Sequence, residues 1–339
     1  MFQYNYNNII ISVLVILTLL GVALLANYYL IDFKYQKELR NEIPIQNVDT
    51  KVNKSVENHL ALVSTDNFIN NSIAPLPESN LLWGAYVGDQ PNSLSNFETL
   101  VGKKLDLYAD FESFDNNFPL WLSSSIGQEG KTLVIFWEPN FGYDKIIDGS
   151  QDDYIKQFAQ DAKAYSYPII LVPFDEMNLN EEAWGYGQNN NTATKFITAW
   201  RHIHDLFEGI SNVKFGLAYN NVSIPEIEGN LFSDYYPGDA YVDYIGLDGF
   251  SFNDDWKTFG QIFDRPMILL SSYDKPILIF SVAAGANEKK ANWIIEGLGT
   301  HLKSYKNLVG FIWFNKNKEQ NWLVDSDNSS LKAFRSILP

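Results

Sequence analysis

The sequence predicts a (β/α)8 TIM barrel preceded by an N-terminal transmembrane helix and a stalk. Three observations carry that expectation: a charge-free apolar run near the N-terminus, eight short apolar runs after residue 80, and helical patterns in several of the intervals between those runs.

The first element runs from Ile9 to Ile31 without a charged residue, a length that matches a bilayer core of ~20 residues. It exceeds a usual signal-peptide core, no Lys or Arg precedes it, and Ala23 to Ala26 makes a poor cleavage site. Residues 1–31 are therefore expected to anchor the chain, with secretion as the outcome if the segment is cleaved. Lys34, Lys37 and Arg40 follow the span and by themselves favour a cytoplasmic domain. Five N-x-S/T sequons, at Asn53, Asn70, Asn190, Asn221 and Asn328, fit export, and the expected location is membrane-anchored with the barrel outside the cytoplasm. Residues 32–79 hold no Trp and little periodicity, with Asn, Ser and Asp gathered around Pro44, Pro75 and Pro77, which reads as a stalk. All nine Trp lie from Trp83 onward, so the globular domain is expected over residues 80–339.

Within that domain the apolar runs are Leu82 to Val87, Leu105 to Tyr108, Thr132 to Trp137, Pro168 to Val172, Lys214 to Tyr219, Tyr241 to Leu247, Pro276 to Phe280 and Leu308 to Phe314. Most are continuous rather than alternating, as strands buried on both faces are, and parallel βα units follow. One helix is expected to open at Ser150 with a capping-box spacing to Asp153 and to stripe Tyr154, Ile155, Phe158, Ala159 and Ala162 along one face. Another runs from Ala193 through Phe196, Trp200 and Phe207 toward a stop at Gly209. A doubly wound fold would want a glycine-rich phosphate turn after its first strand, and no G-x-G-x-x-G occurs. Gly127 to Thr132 ends like a P-loop, but Ser125 holds the required first glycine position and a strand follows, so it reads as a plain turn.

Composition narrows the function. With 25 Lys plus Arg against 41 Asp plus Glu the net charge is −16, which repels nucleic acid and excludes it as a partner. Zero cysteines remove disulfides, thiolate metal sites and a cysteine nucleophile. The four histidines, His59, His202, His204 and His301, give no metal-binding spacing, and neither a metal nor another cofactor is expected.

In a barrel of this type the active site is built where strands end. The residues there are Trp137-Glu138-Pro139-Asn140 after strand three, Asp175-Glu176-Met177-Asn178 after strand four, Asn220-Asn221 after strand five, Asp248-Gly249-Phe250 after strand six and Trp313-Phe314-Asn315 after strand eight. Carboxylates and amides bond sugar hydroxyls while indoles stack on sugar faces, so the rim suits a polysaccharide or oligosaccharide. Trp137, Trp184 and Trp313 are candidate stacking platforms, whereas Trp200 and Trp293 lie on helical stripes and read as core.

From Trp83 to Leu338 the chain resembles glycoside hydrolase family 26, the β-mannanase family that also includes some mixed-linkage β-glucanases. The resemblance rests on Trp83-Gly84-Ala85-Tyr86, Trp137-Glu138-Pro139, Glu176-Met177-Asn178, Tyr236 to Asp243 running into Gly246-Leu247-Asp248-Gly249, Lys275-Pro276-Ile277, and Trp313-Phe314-Asn315 before Trp322. It implies a retaining mechanism with two carboxylates ~5–5.5 Å apart. Glu176 matches the family's acid/base, and it independently follows a buried strand onto an aromatic rim where desolvation raises a carboxyl pKa. Asn178 is then expected to hold substrate or nucleophile, and Glu138, Asp175, Asn220, Asp248 and Phe250 to line the substrate.

At strand seven the pattern departs from the family. Where a nucleophilic glutamate is implied after Lys275-Pro276, the chain has Ser281, with no G-x-S-x-G elbow and no histidine nearby in sequence. Asp175 replaces a frequent His and Phe250 a frequent Tyr. Glu288, seven residues on, reads as an N-terminal helix carboxylate. Three readings result: a hydrolase of β-1,4-mannan or a related β-linked polysaccharide, with Asp248 or Asp243 activating water if it inverts; a membrane-tethered pseudoenzyme that binds glycan without cleaving it; or a barrel used as a protein-interaction scaffold.

Overall fold

The computed structural model describes residues 81–88 and 93–338, leaving aside the side chains of residues 121–124. The expected anchor over 1–31 and stalk over 32–79 lie outside the described residues. Within the described residues no helix is long and apolar enough to cross a membrane.

Eight parallel strands close into a barrel in sequence order. They are β1 (Leu82–Tyr86), β2 (Leu107–Ser113), β3 (Thr132–Glu138), β4 (Ile169–Pro173), β5 (Val213–Asn220), β6 (Tyr244–Ser251), β7 (Ile277–Ala284) and β8 (Leu308–Phe314). Closure is made by β1 against β8, with Gly84 opposite Ile312. Each expected run lies on a strand, but β2, β6 and β7 extend three or more residues further than the apolar runs alone imply. As a result Asp248 and Ser281 stand inside strands rather than beyond their ends.

Around the strands lie α1 (Ser93–Val101), α2 (Leu120–Gln128), α3 (Asp144–Ile147), α4 (Asp152–Tyr165), α5 (Ala193–Leu206), α6 (Phe259–Leu270), α7 (Lys290–Trp293, continued by a π-helix over Ile294–Thr300) and α8 (Asn328–Ile337). The capping box expected at Ser150 is not formed. That hydroxyl instead donates to Lys145 O at 2.7 Å, and α4 starts two residues later with Gln151 before it and no side-chain cap. Helix α5 begins as expected, with Thr192 Oγ1 accepting from Lys195 N at 3.2 Å, and ends at Leu206, three residues short of Gly209. Between β5 and β6 there is no α-helix, only 3-10 turns at Phe232–Tyr235 and Asp239–Tyr241. Pro225, Gly229, Pro237 and Gly238 interrupt that interval, and each opposes helix propagation.

Alternation along each strand sorts side chains between two cores. Tyr86, Leu107, Ala109, Val134, Phe136, Ile170, Val172, Ala218, Leu278, Phe280 and Ile312 fill the barrel interior. The intervening residues, Leu133, Ile135 and Trp137 on β3 among them, pack outward against the helices. Two glycines on β6 are forced by close approach. A Cβ on Gly246 would lie 1.7 Å from Leu278 O, and one on Gly249 would lie 2.6 Å from Ile262 Cγ2 of α6.

Candidate active site

At the strand C-terminal ends a cleft of about 440 Å³ opens, lined by residues from seven strands or the segments that follow them. Its position follows from alternation. On β3 the inward series Val134, Phe136 continues to Glu138, on β5 Ala218 continues to Asn220, and on β6 Gly246 continues to Asp248 and Phe250.

The turn after β4 delivers the central acid. Phe174 and Glu176 adopt left-handed backbone angles, φ 58° and 53°. Such angles cost a non-glycine residue of order 1–3 kcal/mol each, so the surroundings must hold them. They are held by Glu176 N donating to Ala218 O at 3.0 Å, Leu179 N to Glu176 O at 2.9 Å, and Trp184 Nε1 to Asp175 O at 2.7 Å. Asn178 ties the turn to the end of β5. Its Nδ2 donates to Asn220 O and Val222 O, both at 3.0 Å, and its Oδ1 accepts from Asn220 N at 2.9 Å.

Glu176 projects half-buried into the cleft, where Asn220 Nδ2 donates to its Oε1 at 2.7 Å. Burial pushes its carboxyl up to about 7. The Asn220 hydrogen bond opposes that rise, nearby Glu181 and Glu182 add to it, and Lys318 draws it down. Glu138 is likewise pushed up to about 7, by burial first and then by Glu182 and Glu176, against Lys318. Asp175 and Asp248 are more deeply enclosed, 7% and 3% exposed, and burial holds both well above the ordinary carboxyl range. Near neutral pH the site therefore offers proton donors as well as carboxylates.

Ser281 reaches this cluster through an irregularity in β7. Leu247 pairs with Ile279 but Asp248 pairs with Ser281, so Phe280 is one extra residue on β7. Phe280 still points into the barrel core, and Ser281, on the opposite parity, is turned into the cleft as well. Ser281 faces Asp248 across the β6–β7 pairing, and its polar groups oppose the rise that burial imposes on that carboxyl. Among the described residues that line the cleft there is no histidine to take a proton from the Ser281 hydroxyl.

Several expected site residues lie elsewhere or are otherwise engaged. Trp137 is fully buried between Phe114 and Phe158, with ring centroids at 4.1 and 4.4 Å, and its Nε1 donates to Tyr154 Oη at 3.2 Å. Trp313 is also fully buried, donating to Trp322 O at 3.1 Å and packed on Phe334. Both occupy outward parity, so neither is a stacking platform. Trp184 lines the cleft, although only 5% exposed and with its N–H taken up by Asp175 O. Asn178 is fully buried with its amide saturated by backbone, which leaves nothing to offer a substrate. Asp243 sits at the opposite end of β6, accepting from Phe215 N at 2.8 Å and Lys214 Nζ at 3.1 Å, and is no water activator for this cleft. Glu288 is exposed ahead of α7 and does not line the cleft.

The aromatic wall is built instead from Phe250, Trp322 and Phe314, with Phe250 5.3 Å from Trp322 and 5.7 Å from Phe314. Sequence reasoning also passed over Glu181, Glu182, Asp255 and Glu319, all on the rim. The adjacent Glu181 and Glu182 follow Glu176 in the same loop, a signal visible in the sequence.

The sequence model of glycosyl hydrolase family 26 matches residues 132–321. Over 279 residues the chain is 36% identical to endoglucanase H of Acetivibrio thermocellus, an overlap of 77% of this chain and 30% of that protein. The chain thus spans under a third of that relative's length. Among solved structures, the catalytic domain of an endo-β-1,4-mannanase from Bacillus sp. JAMB-750 superposes with TM-score 0.59 at 15% identity, covering 76% of this chain and 85% of that one. A β-mannanase from Bacteroides ovatus gives TM-score 0.57 at 14% identity over 77% and 88%. At these identities the likeness is one of fold.

Proposed function

Because the chain belongs to glycosyl hydrolase family 26, we propose that its cleft takes a β-linked polysaccharide, of the β-1,4-mannan or β-glucan class, with Glu176 as the proton donor to the glycosidic oxygen. The observation that carries this reading is Glu176 itself. A carboxyl pushed up to about 7 and oriented by Asn220 is poised as a general acid at neutral pH, and the half-buried phenyl rings of Phe250 and Phe314 in the same cleft supply a surface for sugar faces. Related proteins are named for the matching chemistries, the solved ones as β-mannanases and the Acetivibrio protein as an endoglucanase.

A second reading is favoured by Ser281. Ser281 stands opposite Asp248 where the family resemblance implies a glutamate, and a serine carries no carboxylate to form the glycosyl ester of double displacement, so this reading sets that route aside. Two outcomes are left for a bound glycan: single displacement with Asp248 activating water, or binding without cleavage by a membrane-tethered pseudoenzyme. Reducing-end release from β-mannans and β-glucans, with Glu176→Gln as the paired control, separates them. Release that Glu176→Gln abolishes, with inverted product, supports the hydrolase. Saturable binding with no release supports the pseudoenzyme, and neither binding nor release overturns both.

A further inference from the structure

Two buried carboxylate oxygens in the cleft, Asp175 Oδ1 and Asp248 Oδ1, have no hydrogen-bond partner among the described residues, although both residues are more than nine-tenths buried and both line the cavity. A buried polar atom without a partner costs about 1–3 kcal/mol, so these two mark where a ligand's donors belong. Around them the charge is lopsided. Glu138, Glu176, Glu181 and Glu182 complete a set of six carboxyl groups for which no described cation stands within ion-pair distance. The cleft's two lysines are held by other acids, Lys257 by Asp255 at 2.7 Å and Lys318 by Glu319 at 2.9 Å.

We propose that the glycan taken by this cleft carries free amino groups, that is, a cationic amino-sugar polymer rather than a neutral mannan or glucan. The inference rests on the glycan reading above and narrows it. A sugar hydroxyl can satisfy one orphan oxygen but brings no charge to draw the buried acids into the ionised form that burial and their neighbours disfavour. An ammonium group brings three donors and a compensating charge, and so answers both deficits at once. The same charge pattern disfavours uronic-acid or sulfated chains, because the two lysines that line the cleft are each paired with an acid.

The test is equilibrium binding by the full chain, kept in a detergent without a sugar headgroup, at about pH 6, where an amino sugar is cationic. The probes are a β-1,4-linked glucosamine hexamer, its fully N-acetylated counterpart, the β-1,4-glucose hexamer and calcium chloride alone. Preferential binding of the glucosamine hexamer, about tenfold or more over both neutral hexamers at low ionic strength and shrinking at 0.5 M salt, is the expected result. Glu181→Gln combined with Glu182→Gln, both on exposed side chains, should narrow that margin. Equal or tighter binding of a neutral hexamer overturns the amino-glycan inference and leaves the glycan reading standing. Calcium binding with no amino-hexamer preference, or an undiminished preference in the double variant, also overturns it. Failure of every hexamer overturns both.

Discussion

Ser281 stands opposite Asp248 across the β6–β7 pairing because β7 accommodates one extra residue, Phe280. Without that residue the alternation would turn Ser281 outward into the helix layer, as it turns Ile279. The position thus presents a side chain beside Asp248 in the cleft that also holds Glu176, and the side chain present carries no charge.

Ser281→Glu is expected to raise reducing-end release at least about tenfold over the parent, with retained product anomer, if only the nucleophile is missing. The same change adds volume at a site 4% exposed, so a loss of about 1–3 kcal/mol in denaturant unfolding should accompany it. A folded variant with no gain in release would show that the rest of the site has also been rebuilt against double displacement.

Trp137→Ala is expected to cost about 3–5 kcal/mol, because the ring is fully buried between Phe114 and Phe158. Urea unfolding gives the stability change, and glycan affinity of the remaining folded protein should match that of the parent. A selective loss of affinity at full stability would return Trp137 to the substrate.

That contrast shows what was legible. Eight apolar runs gave all eight strands, and residues following them converge on one cleft because the barrel collects strand ends. What proximity to a strand end does not give is the side of the strand. Counting in twos from Val134 and Phe136 puts Glu138 inward and Trp137 outward, and the same count from Ile312 puts Phe314 inward and Trp313 outward. The extra residue in β7 breaks such a count and leaves no mark in a continuous apolar run. The tie that Asn178 makes is hidden for another reason: its partners are backbone atoms 42 and more residues away, which spacing cannot reveal.

Asn178→Ala should then act on stability first. It leaves Asn220 N without its acceptor and frees Asn220 O and Val222 O from the donor that binds the loop to β5, a change expected to cost about 2–4 kcal/mol. Because Asn220 also orients Glu176, any activity should fall with it. Hydrogen exchange at residues 220–224 should quicken in the variant, and unchanged protection there would contradict the tie.

The acids of the cleft make stability depend on pH in a definite direction. Glu138 and Glu176 sit near 7 in the fold against an ordinary 4.5, so between those values the folded state holds protons that the unfolded chain has released. Unfolded chains binding fewer protons than native ones means that stability declines as pH rises, and the share held by these two glutamates is lost as pH passes through about 7. Glu176→Gln removes one of the two groups and keeps a side chain that Asn220 can still bond. The variant should resemble the parent near pH 4.5, exceed it in stability at pH 8, and show the shallower slope between. Denaturant midpoints measured across that range test this, and a parent whose stability instead climbs from pH 5 to 8 in parallel with the variant would show that Glu176 titrates as an ordinary surface carboxylate.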